Sequence, residues 1–167
     1  RCNWQRHCRI LRRLREINSV FERIQHNQID KKDMEKKWLR IIDADYNRAR
    51  EGIRVCEDIL RFVMNNVDAA LDLKSTRRHL ARIVSSFDVK DLLNARDTKN
   101  DGCKFRYSDE KVKVSCRDLL RRNFQRATES LRTLEEISQV LAPLLKLKFM
   151  RMRFKIYKIE KDVLARK

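Results

Sequence analysis

The sequence predicts an all-α fold, a helical bundle with two pseudo-repeated long-helix pairs, and three observations carry that expectation. Two glycines and one proline in 167 residues leave few turn signals, against abundant Leu, Ile, Arg, Lys and Glu. Apolar residues recur at steps of three, four and seven, the period of an amphipathic helix. A segment beginning near Arg40 returns in faint copy 78 positions later, as a duplicated unit would. The length suits one domain, divided here into residues 1–37, a basic amphipathic helix or extension, and 38–167, the helical domain proper.

Residues 4–28 place Ile10, Leu11, Leu14, Ile17, Val20, Phe21 and Ile24 on one face, an amphipathic helix with a basic outer side and the candidate interface for a homo-oligomer. Cys2 to Leu14 is Arg-rich with no acidic residue before Glu16, a faint likeness to a targeting peptide; a start at Arg1 reads equally as a boundary within a longer sequence. His7 and His26 have no ligand-like neighbours and read as surface residues. Asp30 to Lys37 is polar and charged, and reads as a turn or linker.

The main helix is expected from about Trp38 to Asn65. Ile42, Ala49, Ile53, Cys56, Leu60 and Val63 form its inward stripe. Asp43, Asn47, Arg50, Arg54, Glu57 and Arg61 run beside that stripe. Gly52 in mid-helix costs about 1 kcal/mol relative to alanine and calls for compensation by a closely approaching backbone. The second copy, QRATESLRTLEEI, sets Arg126, Ala127, Glu129, Leu131, Arg132, Glu135 and Glu136 on Arg48, Ala49, Glu51, Ile53, Arg54, Glu57 and Asp58, with Ser130 on Gly52. Arg78-His79 corresponds loosely to Arg153-Phe154. The expected result is a pair of related helices presenting facing rows of Arg and Glu across a pseudo-twofold cleft. Solvated helices also carry such rows for modest i,i+4 stabilisation.

Asn66 or Asp68 is expected to cap the next helix, about 69–86, with Leu71, Leu73, Leu80, Ile83 and Val84 inward. A short helix follows near 89–94. Residues 95–114 then form a long polar loop holding Gly102, whose Arg96, Asp97, Thr98 and Asp101 suit phosphate and magnesium contacts. A turn at Asn100-Asp101-Gly102 is the structural alternative. Ser115 caps the second long helix, about 116–141, with Leu119, Leu120, Phe124, Ala127, Leu131, Leu134 and Ile137 or Val140 inward. Pro143 opens the last helix, to about Ala165, which buries Leu145, Phe149, Met152, Ile156 and Ile159, with Arg153 and Tyr157 near the cleft.

A net charge of +17 favours anionic partners: phosphorylated small molecules, nucleic acid or anionic lipid. The five cysteines form no CxxC pair and no Cys/His ligand spacing, which fits a reducing, cytoplasmic setting. No apolar run reaches bilayer length, so no membrane span is expected. There is no GxxxxGK[ST], GxGxxG or GxSxG, so an anion site would rest on guanidinium groups, helix N-termini and the 95–114 loop. Aromatic residues do not interleave with the basic runs as in a single-strand-binding surface.

The stretches DADYNRAREGIRVCEDILRF, RRHLARI, ARDTKND, NFQRATESLRTLEE and RMRFKIYKIEK together resemble the all-helical alternative hydroxymethylpyrimidine phosphate kinase family of thiamine biosynthesis. That domain occurs alone or fused ahead of thiamine phosphate synthase. The resemblance runs from Leu39 to the C-terminus. It implies transfer of a phosphoryl group from ATP, with Mg²⁺, to 4-amino-5-hydroxymethyl-2-methylpyrimidine phosphate, giving the pyrophosphate that the synthase uses. Thiamine phosphate synthase is the implied protein partner.

The residues it singles out for catalysis are Glu51, Arg54, Asp97, Glu129 and Arg132, with Asp97 and Glu51 as metal candidates. Substrate and phosphate contacts fall to Asp43, Asn47, Arg48, Arg50, Glu57, Arg78, His79, Arg96, Thr98, Asn123, Arg126 and Arg153. Two positions depart from the family pattern: Arg122 stands where a small residue is usual, and Phe154 where Tyr or His is usual. The rival expectation is a non-catalytic basic helical module binding RNA or a protein partner, or a domain of the same fold that has lost catalysis.

Overall fold

The structure is a computed structural model that describes residues 3–98 and 114–165, with side chains from residue 30 onward. The Asn100-Asp101-Gly102 turn, Cys2, Cys103, and the side chains of His7, Cys8, His26 and the 4–28 apolar stripe lie outside the described residues. Every described element is helical: α1 Asn3–Phe62, α2 Val67–Val84, α3 Val89–Ala95, α4 Cys116–Leu141, a 3₁₀ turn Pro143–Leu145, and α5 Lys146–Leu164. The chain divides into two compact units, through Lys37 and from Trp38 onward. No helix among the described residues is long and apolar enough to cross a membrane.

Asp30 to Lys37 is helix rather than a turn. The segment has no glycine or proline, and Asp33 pairs with Lys37 one turn on, so local chemistry favours continuation over a break. Helix α1 stops at Phe62, not Asn65. Asn65 takes a left-handed conformation with φ 53°, and the Asn66 side chain accepts from the Ala69 amide to cap α2. Asp88 caps α3 and Ser115 caps α4 in the same way, through the amides of Lys90 and Asp118.

The core of the second unit is built from Ile42, Ala49, Ile53, Cys56 and Leu60 on α1, Leu73, Leu80 and Ile83 on α2, Phe124, Leu131 and Leu134 on α4, and Phe149, Met152, Ile156 and Ile159 on α5. Four expected core positions are exposed. Val63 lies past the end of α1, Val140 sits in the last turn of α4, and Leu71 and Leu119 share outer faces with Arg78 and Arg126 one heptad on. Ile137 takes the inward place that Val140 leaves.

Helices α1 and α4 cross antiparallel. Cys56 Sγ donates to the Leu120 carbonyl at 3.6 Å, Gly52 meets Asn123 and Ala127, and Asp45 reaches Ser130, so position numbers rise on one helix as they fall on the other. The crossing centres on Ala49 and Ala127, both fully buried. A Cβ at Gly52 would stand 2.8 Å from the Asn123 carbonyl oxygen, which is the close backbone approach the glycine implied. At its repeat partner Ser130, the opposing group is the Asp45 side chain, which takes a hydrogen bond instead.

Candidate functional site

Each repeat buries one glutamate and clamps it between two arginines. In the first, Glu57 Oε2 accepts from Arg77 Nε at 3.0 Å and Oε1 from Arg54 Nη1 at 3.4 Å. In the second, Glu135 Oε2 accepts from Arg153 Nε and Nη2 at 3.1 and 2.9 Å, and Oε1 from Arg132 Nη1 at 3.0 Å. Arg54 also bonds Asp58, as Arg132 does Glu136. Both glutamates are almost wholly buried, and Arg77 and Arg153 are themselves 20% and 12% exposed. A buried carboxylate persists only when charge-paired and hydrogen-bonded, and here both conditions hold twice over.

The α2/α5 correspondence is therefore Arg77 with Arg153, an offset of 76, and not Arg78 with Arg153. The same offset superposes buried Leu73, Thr76, Leu80 and Ile83 on buried Phe149, Met152, Ile156 and Ile159. Arg78 and His79 are exposed, and neither enters the ion-pair cluster.

The two clusters do not face each other across one cleft. Glu57 and Glu135 each lie eight residues beyond the α1/α4 crossing on antiparallel helices, which at 1.5 Å per residue sets them about 24 Å apart. Sequence periodicity gives the face of each helix but not their mutual direction, so the facing-rows expectation fails at this step.

A pocket of about 530 Å³ opens between α1 and α2 in the first repeat, lined by Asn47, Arg50, Glu51, Arg54, Val55 and Arg77. It gathers four of the anticipated residues of α1, Asn47, Arg50, Glu51 and Arg54, around one cavity. Glu57 holds Arg54 and Arg77 from beneath, so two of its three guanidinium groups are fixed before any ligand arrives. Arg50 stands near the Tyr46 ring, 6.0 Å from its centroid. Asn47 Nδ2 donates to the Asp43 carbonyl at 2.9 Å and its carboxylate at 3.2 Å, which leaves the Asn47 carbonyl oxygen as the acceptor of that side chain. Asp58 Oδ1 is buried with no hydrogen-bond partner among the described residues.

Two turns toward the N-terminus of α1, Asp43 takes a bidentate pair from Arg96 at 2.8 and 2.7 Å. This pair pushes the Arg96 guanidinium further up from its ordinary value. Arg40 donates to the Asp97 carbonyl at 3.0 Å, with its carboxylate at 3.7 Å, so Arg96 and Asp97 tie the start of the 95–114 segment to α1. Arg40, which holds Asp97, and Glu51 are eleven residues apart on α1, about 16 Å of helix rise. No group of three or more His, Cys, Asp or Glu able to hold a metal occurs among the described residues.

Other anticipated residues are dispersed. Arg48 pairs locally with Asp45 at 3.4 Å, whose carboxyl is raised by burial and partly restored by Arg48. Asn123 donates to the Leu119 carbonyl and Glu129 accepts from Gln125, each at 2.8 Å. Arg126 and Thr98 are exposed. Arg153 lies over Phe154 and Tyr157, 5.0 and 5.7 Å from their centroids, so Phe154 serves as a cation–π surface at its departure from the family pattern. The sequence marks Arg77 with Arg78 and His79 as a basic run suited to an anion or substrate contact, but only the latter two enter the predicted site, and Arg40 is passed over; aligning the buried stripe of α2 with that of α5 singles out Arg77.

Residues 40–162 match the ThiD2 family. Among curated proteins, the thiamine-phosphate synthase of Nostoc punctiforme is 35% identical over 136 residues, 81% of this chain and 38% of that protein. That of Gloeobacter violaceus is 39% identical over 127 residues, 75% and 36% respectively, and that of Synechocystis sp. 36% over 129 residues, 77% and 36%. The chain thus spans little more than a third of the length of these relatives. No solved structure matches. The matched region takes in both buried glutamates, their four arginines and the Asp43–Arg96 pair, so that the architecture of the site and the family assignment coincide: the chain belongs to the ThiD2 family of thiamine biosynthesis.

Proposed function

We propose that this domain transfers the γ-phosphoryl group of ATP to 4-amino-5-hydroxymethyl-2-methylpyrimidine phosphate. An oxygen of the substrate monophosphate attacks the γ-phosphorus, the bond to ADP breaks, and a new phosphoanhydride forms. The observation that carries this reading is the α1/α2 pocket, where Arg50, Arg54 and Arg77 converge with Glu51 and Asn47. Phosphoryl transfer calls for charge neutralisation and in-line positioning more than covalent help, and three guanidinium groups, two of them fixed by Glu57, supply that without a glycine-rich loop. The Asn47 carbonyl oxygen and the Glu51 carboxylate are acceptors suited to the pyrimidine amino group.

Magnesium binds through one or two carboxylates plus substrate phosphates, which Glu51 can serve; when bound, the ion screens charge on the transferring phosphates. Asp97, tied to Arg40, shapes the approach to α1 in this reading rather than sharing that ion. Glu129 and Arg132 belong to the second repeat, where Arg132 pairs with the buried Glu135 and the exposed Glu129 with Gln125. The thiamine phosphate synthase that consumes a pyrimidine pyrophosphate is the partner this product implies.

The test is a coupled assay of ATP consumption with the pyrimidine phosphate and Mg²⁺. Arg54→Ala is expected to lower kcat/KM by at least a hundredfold with the helical circular dichroism intact, and Arg132→Ala by less than tenfold. Full turnover in Arg54→Ala would overturn the placement. No turnover by the folded parent, together with salt-dependent binding to unrelated RNA, would replace the kinase reading with a binding module.

A further inference from the structure

The duplication does produce a groove on its pseudo-twofold axis, and it is built by α2 and α5 rather than by the Arg and Glu rows. Its volume is about 600 Å³, within the range of small-molecule sites. Ser75, Thr76 and His79 line it from α2; their repeat counterparts at the offset of 76, Arg151, Met152 and Lys155, line it from α5. Matched positions from both copies can meet in one groove only at the axis that relates them.

The walls carry one sign of charge. Arg82 comes from α2, and Lys148, Arg151 and Lys155 from α5, with His79 among them and no carboxylate in the lining. Lys155 has a distant partner in Asp72 at 3.9 Å. Arg82, Lys148 and Arg151 have no ion-pair partner among the described residues. Two of the three arginines of the α1/α2 pocket, Arg54 and Arg77, are in contrast held by Glu57 and Asp58. A concave surface with cations on both walls focuses positive potential, and the arrangement is relieved by an anion. The anion must reach both walls at once, which a chain of linked phosphates does better than a single phosphate.

We propose that this axial groove binds an oligophosphate, a pyrophosphate or triphosphate group, at a site separate from the α1/α2 pocket. Arg82 and Arg151 clamp the chain from opposite walls, Lys148 and Lys155 add charge, and His79 marks the groove. The proposal does not depend on the kinase reading, because binding is measured without the pyrimidine substrate.

The side-chain NMR signal of His79, identified by its loss in His79→Asn, is followed during titration with inorganic triphosphate and, separately, ATP. Saturable shifts are expected in the parent, and Arg82→Ala/Arg151→Ala should weaken them at least tenfold. Two controls should leave them unchanged: Arg50→Ala/Arg54→Ala, which removes two of the three arginines of the other pocket, and Arg121→Ala/Arg122→Ala, which removes the same charge from the outer face of α4. Tighter binding of ATP than of triphosphate identifies the ligand as a nucleotide; equal binding identifies a free oligophosphate. An unshifted His79 at millimolar ligand, or equal shifts in the Arg82/Arg151 variant, overturns the proposal.

Discussion

Gly52 shows how one residue sets the distance between two helices. Its helix-propensity penalty of about 1 kcal/mol is accepted because a methyl group would stand 2.8 Å from the Asn123 carbonyl, and a carbonyl fixed in helix α4 has no room to yield. Gly52→Ala should therefore destabilise the protein by about 1–3 kcal/mol, the usual range for overpacking, seen as a lower midpoint in urea; a stabilised variant would mean that the helices do not approach so closely. Glu160 offers a second case. Burial pushes its carboxyl up from the ordinary value near 4.5, and burial, with a smaller contribution from the Glu160 charge, pushes the Cys56 thiol up to about 12. A carboxyl whose pKa is raised by folding opposes folding once it ionises, and the opposition is absent below its unfolded value. Glu160→Gln should accordingly raise Tm at pH 7 and leave it unchanged below pH 4; a gain that persists at low pH would assign the effect to packing.

At the scale of the helices, the sequence was legible wherever periodicity or capping chemistry acts locally. The stripes Ile42–Leu60, Leu73–Val84, Phe124–Leu134 and Phe149–Ile159 are all buried, and Ser115 and Asn66 cap where they were expected to. Ser115 binds the Asp118 amide at 3.1 Å and donates to its carboxylate at 2.6 Å, which holds that carboxyl below its usual range. Ser115→Ala should cost about 1 kcal/mol, measured by thermal unfolding. What was not legible has two causes. Polarity alone suggested a break at Asp30–Lys37, but charged residues of good helix propensity continue a helix unless glycine, proline or a cap stops them. The pairing of Arg77 with Glu57 is the other: it depends on which face of α2 meets α1, and twenty intervening residues leave that undetermined locally. The Arg54–Glu57 pair lies within one helix and could be anticipated; Arg77 stands out as a basic residue of α2, but its pairing with Glu57 could not be read locally.

For the whole molecule, the duplication explains why two equally built clusters need not share one role. Glu57 and Glu135 have the same burial and the same pair of arginines, yet the surroundings have diverged. Position 50 is an exposed arginine at the pocket while its counterpart Thr128 is buried, and Arg78 corresponds to Phe154 beside Arg153. One copy keeps cations open to a ligand, and the other covers its arginine with aromatic rings. Removing the carboxylate charge leaves Arg77 or Arg153 without its counter-ion in a mostly buried setting, at a cost of about 3 kcal/mol in either case. Glu57→Gln and Glu135→Gln should thus lower stability by similar amounts in urea unfolding. Their kinetics should separate: measured well below the unfolding transition, Glu57→Gln is expected to lose most of its kcat/KM because Arg54 and Arg77 are no longer held in the pocket, whereas Glu135→Gln stays within tenfold of the parent. Equal loss of turnover in both would mean that the two repeats act on one substrate across the axis, and the catalytic assignment would pass from the α1/α2 pocket to the pair of clusters together.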